Sequence, residues 1–145
     1  MTNADMARSY LRQAEQILQE AKDLNRRRVW NLVVRRSQEV VELALKASLR
    51  DIGIETLKTH DVGQLLKGHQ EKFPLSFRRQ IERLTAISRR LRMERELSFY
   101  GDEETGASPQ ELYGREDAVA YLKEASHVLD QCLALLKDRK RKRSS

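Results

Sequence analysis

The chain has 145 residues, 39% of them hydrophobic and 34% charged, which is enough apolar material for one domain whose core needs no disulfide or metal staple. Its mean hydropathy is −0.70, and it lacks the run of roughly 20 apolar residues that a membrane-spanning helix requires. The 28 basic and 22 acidic side chains give a net +6, of which Lys137–Arg143 alone supplies +5, so the body is nearly neutral and the basic balance describes mostly its end.

In the first segment, Met6, Tyr10, Ala14, Ile17, Leu18, Ala21 and Leu24 recur at spacings of three and four, predicting an amphipathic helix over about residues 4 to 24. After the basic turn Asn25-Arg26-Arg27-Arg28, a wider stripe runs from Trp30 through Val33, Val34, Val40, Val41, Ala44, Leu45 and Leu49 to Ile52. This predicts a central helix buried on more than one side and capped at Gly53, with an apolar face broad enough to seat a second subunit. Asp61 and Gln64 stand at capping-box spacing, predicting a short helix over about 61 to 71.

Phe73-Pro74 opens the next helix, since proline is tolerated in a first turn, and Phe77, Ile81, Leu84, Ser88 and Leu91 carry it to about residue 97. The stretch 98–114 holds Gly101, Gly106, Pro109 and Gly114, half of the chain's glycine and proline. It predicts a long loop with one helical turn begun by Ser108-Pro109-Gln110-Glu111. A last helix carries Ala118, Tyr121, Leu122, Ala125, Val128, Leu129, Cys132, Leu135 and Leu136, and then runs into Arg139-Lys140-Arg141-Lys142-Arg143. Like charges repel and cannot be buried, so residues 137–145 are expected to form a disordered basic tail with loose nucleic-acid affinity, and residues 1–136 the domain. Four long amphipathic helices with mostly short connections predict an all-α fold: an up-and-down antiparallel four-helix bundle plus a short fifth helix. The amino end shows no secretory pattern and Cys132 is the sole cysteine, from which a cytoplasmic protein without membrane attachment is expected.

The chain carries no glycine-rich phosphate loop, no paired Cys-x-x-Cys, and only three histidines, His60, His69 and His127, at spacings that suit no common metal site. Neither a metal nor a cofactor is expected. Cys132 falls on an apolar stripe and reads as core. More informative are seven arginines, Arg78, Arg79, Arg83, Arg89, Arg90, Arg92 and Arg95, against Glu82 and Glu94. A stride of four along the buried stripe lands on Arg92 and Arg95, and a guanidinium there needs a partner. One candidate is a carboxylate on the central helix, Glu39 or Glu42; the other is a phosphate, for which arginine geometry is well matched, with the aromatic and hydroxyl of Tyr100 close behind.

The runs Val34-x-Arg36-x-Gln38-x-Val40-Val41-Glu42-x-Ala44-Leu45-Lys46-Ala47, Thr59-His60-Asp61-Val62-x-x-Leu65-Leu66, an arginine-ended helix closing in Tyr100-Gly101, and Asp117-Ala118-x-x-Tyr121-x-x-x-Ala125 occur in this order. Together they resemble the HEPN domain, up to about residue 136. The resemblance implies a helical bundle, commonly a homodimer, often encoded beside a minimal nucleotidyltransferase and sometimes acting as one half of a toxin–antitoxin pair. It also implies that many relatives are metal-independent ribonucleases using an arginine followed after four to six residues by a histidine. Here the residues after Arg92 and Arg95 are Glu96-Leu97-Ser98-Phe99 and Tyr100-Gly101-Asp102, with no histidine between His69 and His127. A tyrosine with a pKa of about 10 is a poor base for a ribose hydroxyl at neutral pH, so no catalytic residue is assigned.

The expectation is therefore a nucleotide- or nucleic-acid-binding accessory protein, dimeric and paired with a nucleotidyltransferase. Arg92 and Arg95 would hold phosphate, Tyr100 would stack or donate a hydrogen bond, and Lys46 and His60 would stand by. The alternatives are an RNA endonuclease with a degenerate site and a purely structural helical module.

Overall fold

The computed structural model describes residues 1–57 and 61–144, with side chains as far as Lys142. It is all-α. Seven α-helices and one 3-10 turn lie among the described residues: α1 (Asn3–Arg26), α2 (Trp30–Asp51), α3 (Val62–Gly68), the 3-10 turn Gln70–Lys72, α4 (Leu75–Arg78), α5 (Ile81–Tyr100), α6 (Pro109–Leu112) and α7 (Arg115–Ser144).

The start of α1 is a capping box, in which the Thr2 hydroxyl accepts from the Asp5 amide at 3.1 Å and the Asp5 carboxylate accepts from the Thr2 amide at 3.0 Å. Its buried line is Ala7, Leu11, Ala14, Leu18 and Ala21. That is one residue round from the centre of the predicted stripe, with Tyr10 and Ile17 as flanks. The three alanines let α2 come close, and α2 is the neighbour with which α1 shares most of its surface. Helix α2 is central, packed by α1, α5 and α7. Its valines at 33, 34 and 40 and Leu45 and Leu49 are fully buried within the single chain. The broad α2 face expected to seat a second subunit is thus already covered, because three helices rather than two lie against it.

Gly53 closes α2 with φ 83°, its amide bonded to the Arg50 carbonyl at 2.9 Å while the Ile54 amide reaches Leu49 at 3.0 Å. This paired pattern needs the left-handed conformation that glycine adopts without strain. Asp61 caps α3 by accepting from the Gly63 amide at 3.0 Å, and α3 packs on α5. A Cβ at Gly63 would stand 2.6 Å from the Thr85 methyl, so the approach of these two helices depends on glycine. The predicted helix from Phe73 is divided into α4 and α5 by a turn at Arg79-Gln80. Arg78 folds back along the chain, donating to the carbonyls of Gln70 at 3.1 Å and Phe73 at 3.0 Å. One member of the arginine cluster is thereby spent on holding the 3-10 turn.

Beyond Tyr100 the expected long loop is compact. Asp102 pairs with Ala107 across a single β-bridge, and its carboxylate accepts from the Glu104 and Thr105 amides at 3.0 and 3.3 Å. Ser108 then caps the single turn α6. Helix α7 does not stop near residue 136. The basic run expected to be disordered continues the helix, and Arg139 pairs with Asp51, the last residue of α2, whose side chain is only 2% exposed. No helix among the described residues is long and apolar enough to cross a membrane.

Candidate functional site

The stride of four that placed Arg95 on the inner side of α5 turns it toward α2. The Arg95 guanidinium lies 3.5 Å from the Glu42 carboxylate while remaining 50% exposed. Glu42 is shared: Gln38 donates to it at 2.9 Å and the Lys46 ammonium stands 3.8 Å away. The other carboxylate considered from the sequence, Glu39, is taken by Arg36 at 2.8 Å. Arg92, Ser88 and Leu91 from α5, with Gln38, Val41 and Glu42 from α2, enclose a crevice of about 10 Å³, room for one water and no more. A ligand at this place therefore lies over the surface of Arg92 and Arg95 rather than inside the bundle. Gln38 is 4% exposed, and its Oε1 has no hydrogen-bond partner among the described residues. A buried carbonyl of this kind is an acceptor for a water or a ligand donor at the mouth of the crevice.

Lys46 and Arg95 thus meet at Glu42 and Arg92 lines the crevice beside it, whereas Tyr100 goes elsewhere. Five residues separate it from Arg95, about 140° round a helix, and its ring meets Phe99 edge-on with centroids 5.0 Å apart. His60 lies outside the described residues. Two participants escaped the sequence reading. Arg35 donates to the Arg95 carbonyl at 2.6 Å and spreads over the Phe99 ring at 4.8 Å, so it ties the end of α5 to α2. Asn31 does the same from inside, donating to the Ser98 carbonyl at 3.1 Å. The available sequence signal was the spacing of Asn31, Arg35, Gln38 and Glu42, which puts all four on one side of α2. The end of α5 also exposes Met93, Leu97, Phe99 and Tyr100.

On its other side α5 meets α7 through polar side chains. Glu94 accepts from both the Tyr113 and Tyr121 hydroxyls, Arg90 pairs with Glu124 at 2.7 Å, and His127 meets Gln80 at 3.1 Å. Burial, reinforced by the Glu94 charge, pushes both phenols above the usual tyrosine range. Burial also lowers His127, helped by Arg83, and pushes the Cys132 thiol far up, which makes it a poor nucleophile. No group of three or more histidine, cysteine, aspartate or glutamate side chains that could hold a metal ion occurs among the described residues.

An all-α fold centred on α2, with an arginine-rich α5 turned toward it, belongs to the class of small helical-bundle domains. The HEPN domain matches residues 7–137, nearly the whole chain, and the protein belongs to that family. Membership points to a function connected with nucleotides or RNA. No curated protein sequence matches the chain.

Proposed function

We propose that this HEPN-domain protein is a nucleotide- or RNA-binding accessory, with Arg92 and Arg95 of α5 as its phosphate ligands and Lys46 of α2 adding charge. The observation that carries this reading is the half-exposed Arg95 beside a carboxylate that Gln38 and Lys46 already share. Lys46 and Arg95 both stand against the single charge of Glu42, and a phosphate laid over them meets a net positive surface. Tyr100 and Phe99, exposed a turn further on, offer ring faces to a base beyond the phosphate. A nucleotidyltransferase is the proposed partner, in a pairing of the toxin–antitoxin type, and the support for it is family membership alone. A cytoplasmic homodimer is part of the same proposal. Since α2 is covered, the second copy would use the exposed Met93 and Leu97, one turn apart on α5.

Calorimetric titration of ATP and of a short single-stranded RNA, on the wild type and on Arg92→Ala and Arg95→Ala, tests the site. Saturable binding that either substitution weakens by a factor of about ten or more supports it, each charge-assisted phosphate bond contributing roughly 1.5 to 3 kcal/mol. Wild-type protein that binds neither probe refutes it. Metal-independent cleavage of the RNA would instead favour an endonuclease with a non-standard site.

A further inference from the structure

We propose that the groove between α1 and α7 is a docking site for an acidic, aliphatic helix of a partner protein. The groove encloses about 280 Å³. Leu11 of α1 and Leu133 and Leu136 of α7 form its floor. Arg8 and Arg12, one turn apart on α1, make one rim, and Lys137 and Lys140, one turn apart on α7, make the other. An apolar trough between two basic ridges is complementary to a helix that presents aliphatic side chains at i and i+4 with carboxylates on both shoulders.

The charges nearest the groove leave the rim positive. Asp51 at its base is answered by Arg139, and Asp5 pairs with Arg8. Glu15 is the one remaining acidic side chain in the lining, against Arg12 and Lys137. The chemistry of the floor decides among anionic occupants. No aromatic ring lines the groove, so a nucleobase would find nothing to stack on. Leu11 is recessed at 3% exposed and Leu133 and Leu136 are partly buried, whereas a membrane-binding face projects its apolar side chains outward. The volume lies just below the roughly 300 to 1,000 Å³ range of small-molecule sites, which suits a few side chains entering from a partner better than an enclosed ligand. None of these residues belongs to α5, so the groove is independent of the arginines proposed above to hold phosphate.

The probe is a fluorescein-labelled synthetic helix of about four turns, with leucine at i, i+4, i+7 and i+11 and glutamate on the flanking positions, titrated with the full chain by fluorescence anisotropy. Two control peptides accompany it, one with lysine for every glutamate and one with serine for every leucine. Binding that both controls lose is expected. It should be weakened at least about tenfold by the exposed pair Lys137→Glu/Lys140→Glu and unchanged by Arg95→Ala. Circular dichroism on each variant checks that the helix content is retained. Equal binding of the acidic and serine peptides, or no effect of charge reversal in a folded variant, would overturn the proposal. So would a groove variant that keeps the acidic peptide while losing single-stranded RNA or vesicles of phosphatidylglycerol, since the basic rims would then serve those ligands instead.

Discussion

Removing the Arg139 side chain should destabilise the whole domain, although it lies in a run of cations that reads as a tail. The Asp51 side chain is 2% exposed and Arg139 27%. Asp51 is the last residue of α2, so its charge sits at the helix end where the backbone dipole is already negative. A carboxylate in that position depends on its cation. Taking away one partner of a buried pair costs roughly 3 to 5 kcal/mol, because the remaining charge loses that compensation while staying out of water. Since Arg139 reaches solvent on one side, the lower end applies, about 3 kcal/mol for Arg139→Ala. At roughly 3 to 4 °C per kcal/mol for a domain of this size, the melting temperature should fall by about 10 °C. Thermal unfolding followed at 222 nm measures it, with Arg141→Ala as a control on the exposed side of the same run. The double variant Asp51→Asn/Arg139→Ala should recover much of the loss, because neutralising both ends removes the stranded charge. If Arg139→Ala melts within about 2 °C of the wild type, less than 1 kcal/mol by the same conversion, the end of α7 does not fold onto the body and the reasoning fails.

Cys132 is fully buried with its thiol pushed far up; it should resist a thiol reagent such as dithionitrobenzoate in the native protein and react fully in denaturant. Tyr113 keeps its proton in the fold above the ordinary value of 10.0, so its contribution to stability is complete below that pH and is lost as pH rises past it. Tyr113→Phe should therefore flatten the fall in stability on the alkaline side, as read from denaturant midpoints between pH 8 and about 11; an unchanged slope would contradict this. Gly63→Ala should lower the melting temperature, because the added methyl would meet Thr85, and Gly63→Ala/Thr85→Ser should restore part of it.

The helices were legible because their apolar periodicity is a local property. So were the Gly53 cap and the Ser108 turn, each of which rests on residues within one turn of the break. Errors arose where tertiary contacts decide. The stripe of α1 is rotated by one residue because the alanines, weak in hydropathy, are what the close neighbour α2 selects. The helix at Phe73 breaks at Arg79-Gln80, where Arg78 turns back to three main-chain carbonyls, and no periodicity signals that. That the basic run continues α7 is not legible locally, because the carboxylate that meets Arg139 lies in the first half of the chain. In the candidate site, a stride of four located Arg95 and narrowed its partner to two glutamates. Which of them it meets depends on Arg36 having claimed Glu39. The placing of Tyr100 beside Arg95 came from adjacency in sequence, which a helix converts into a separation around its circumference.

Two arginine–carboxylate pairs in this protein carry opposite consequences, and burial separates them. Arg139 meets a carboxylate that is out of water, so the pair belongs to the fold. Arg95 meets Glu42, whose side chain is 25% exposed, while half of its own surface is in solvent. Pairs of that kind contribute about 0 to 1 kcal/mol, and Glu42 keeps Gln38 and Lys46 when Arg95 is removed. Arg95→Ala should accordingly lower the melting temperature by no more than about 4 °C. A phosphate competing for the same guanidinium has only that small contribution to displace, against roughly 1.5 to 3 kcal/mol for each charge-assisted bond it forms. The internal ion pair is therefore compatible with a binding role and keeps the side chain oriented when no ligand is present. Unfolding and ATP titration on the same Arg95→Ala sample decide between the roles. Lost binding with a nearly unchanged melting point assigns the residue to the ligand, and a fall as large as that of Arg139→Ala without wild-type binding assigns it to the fold.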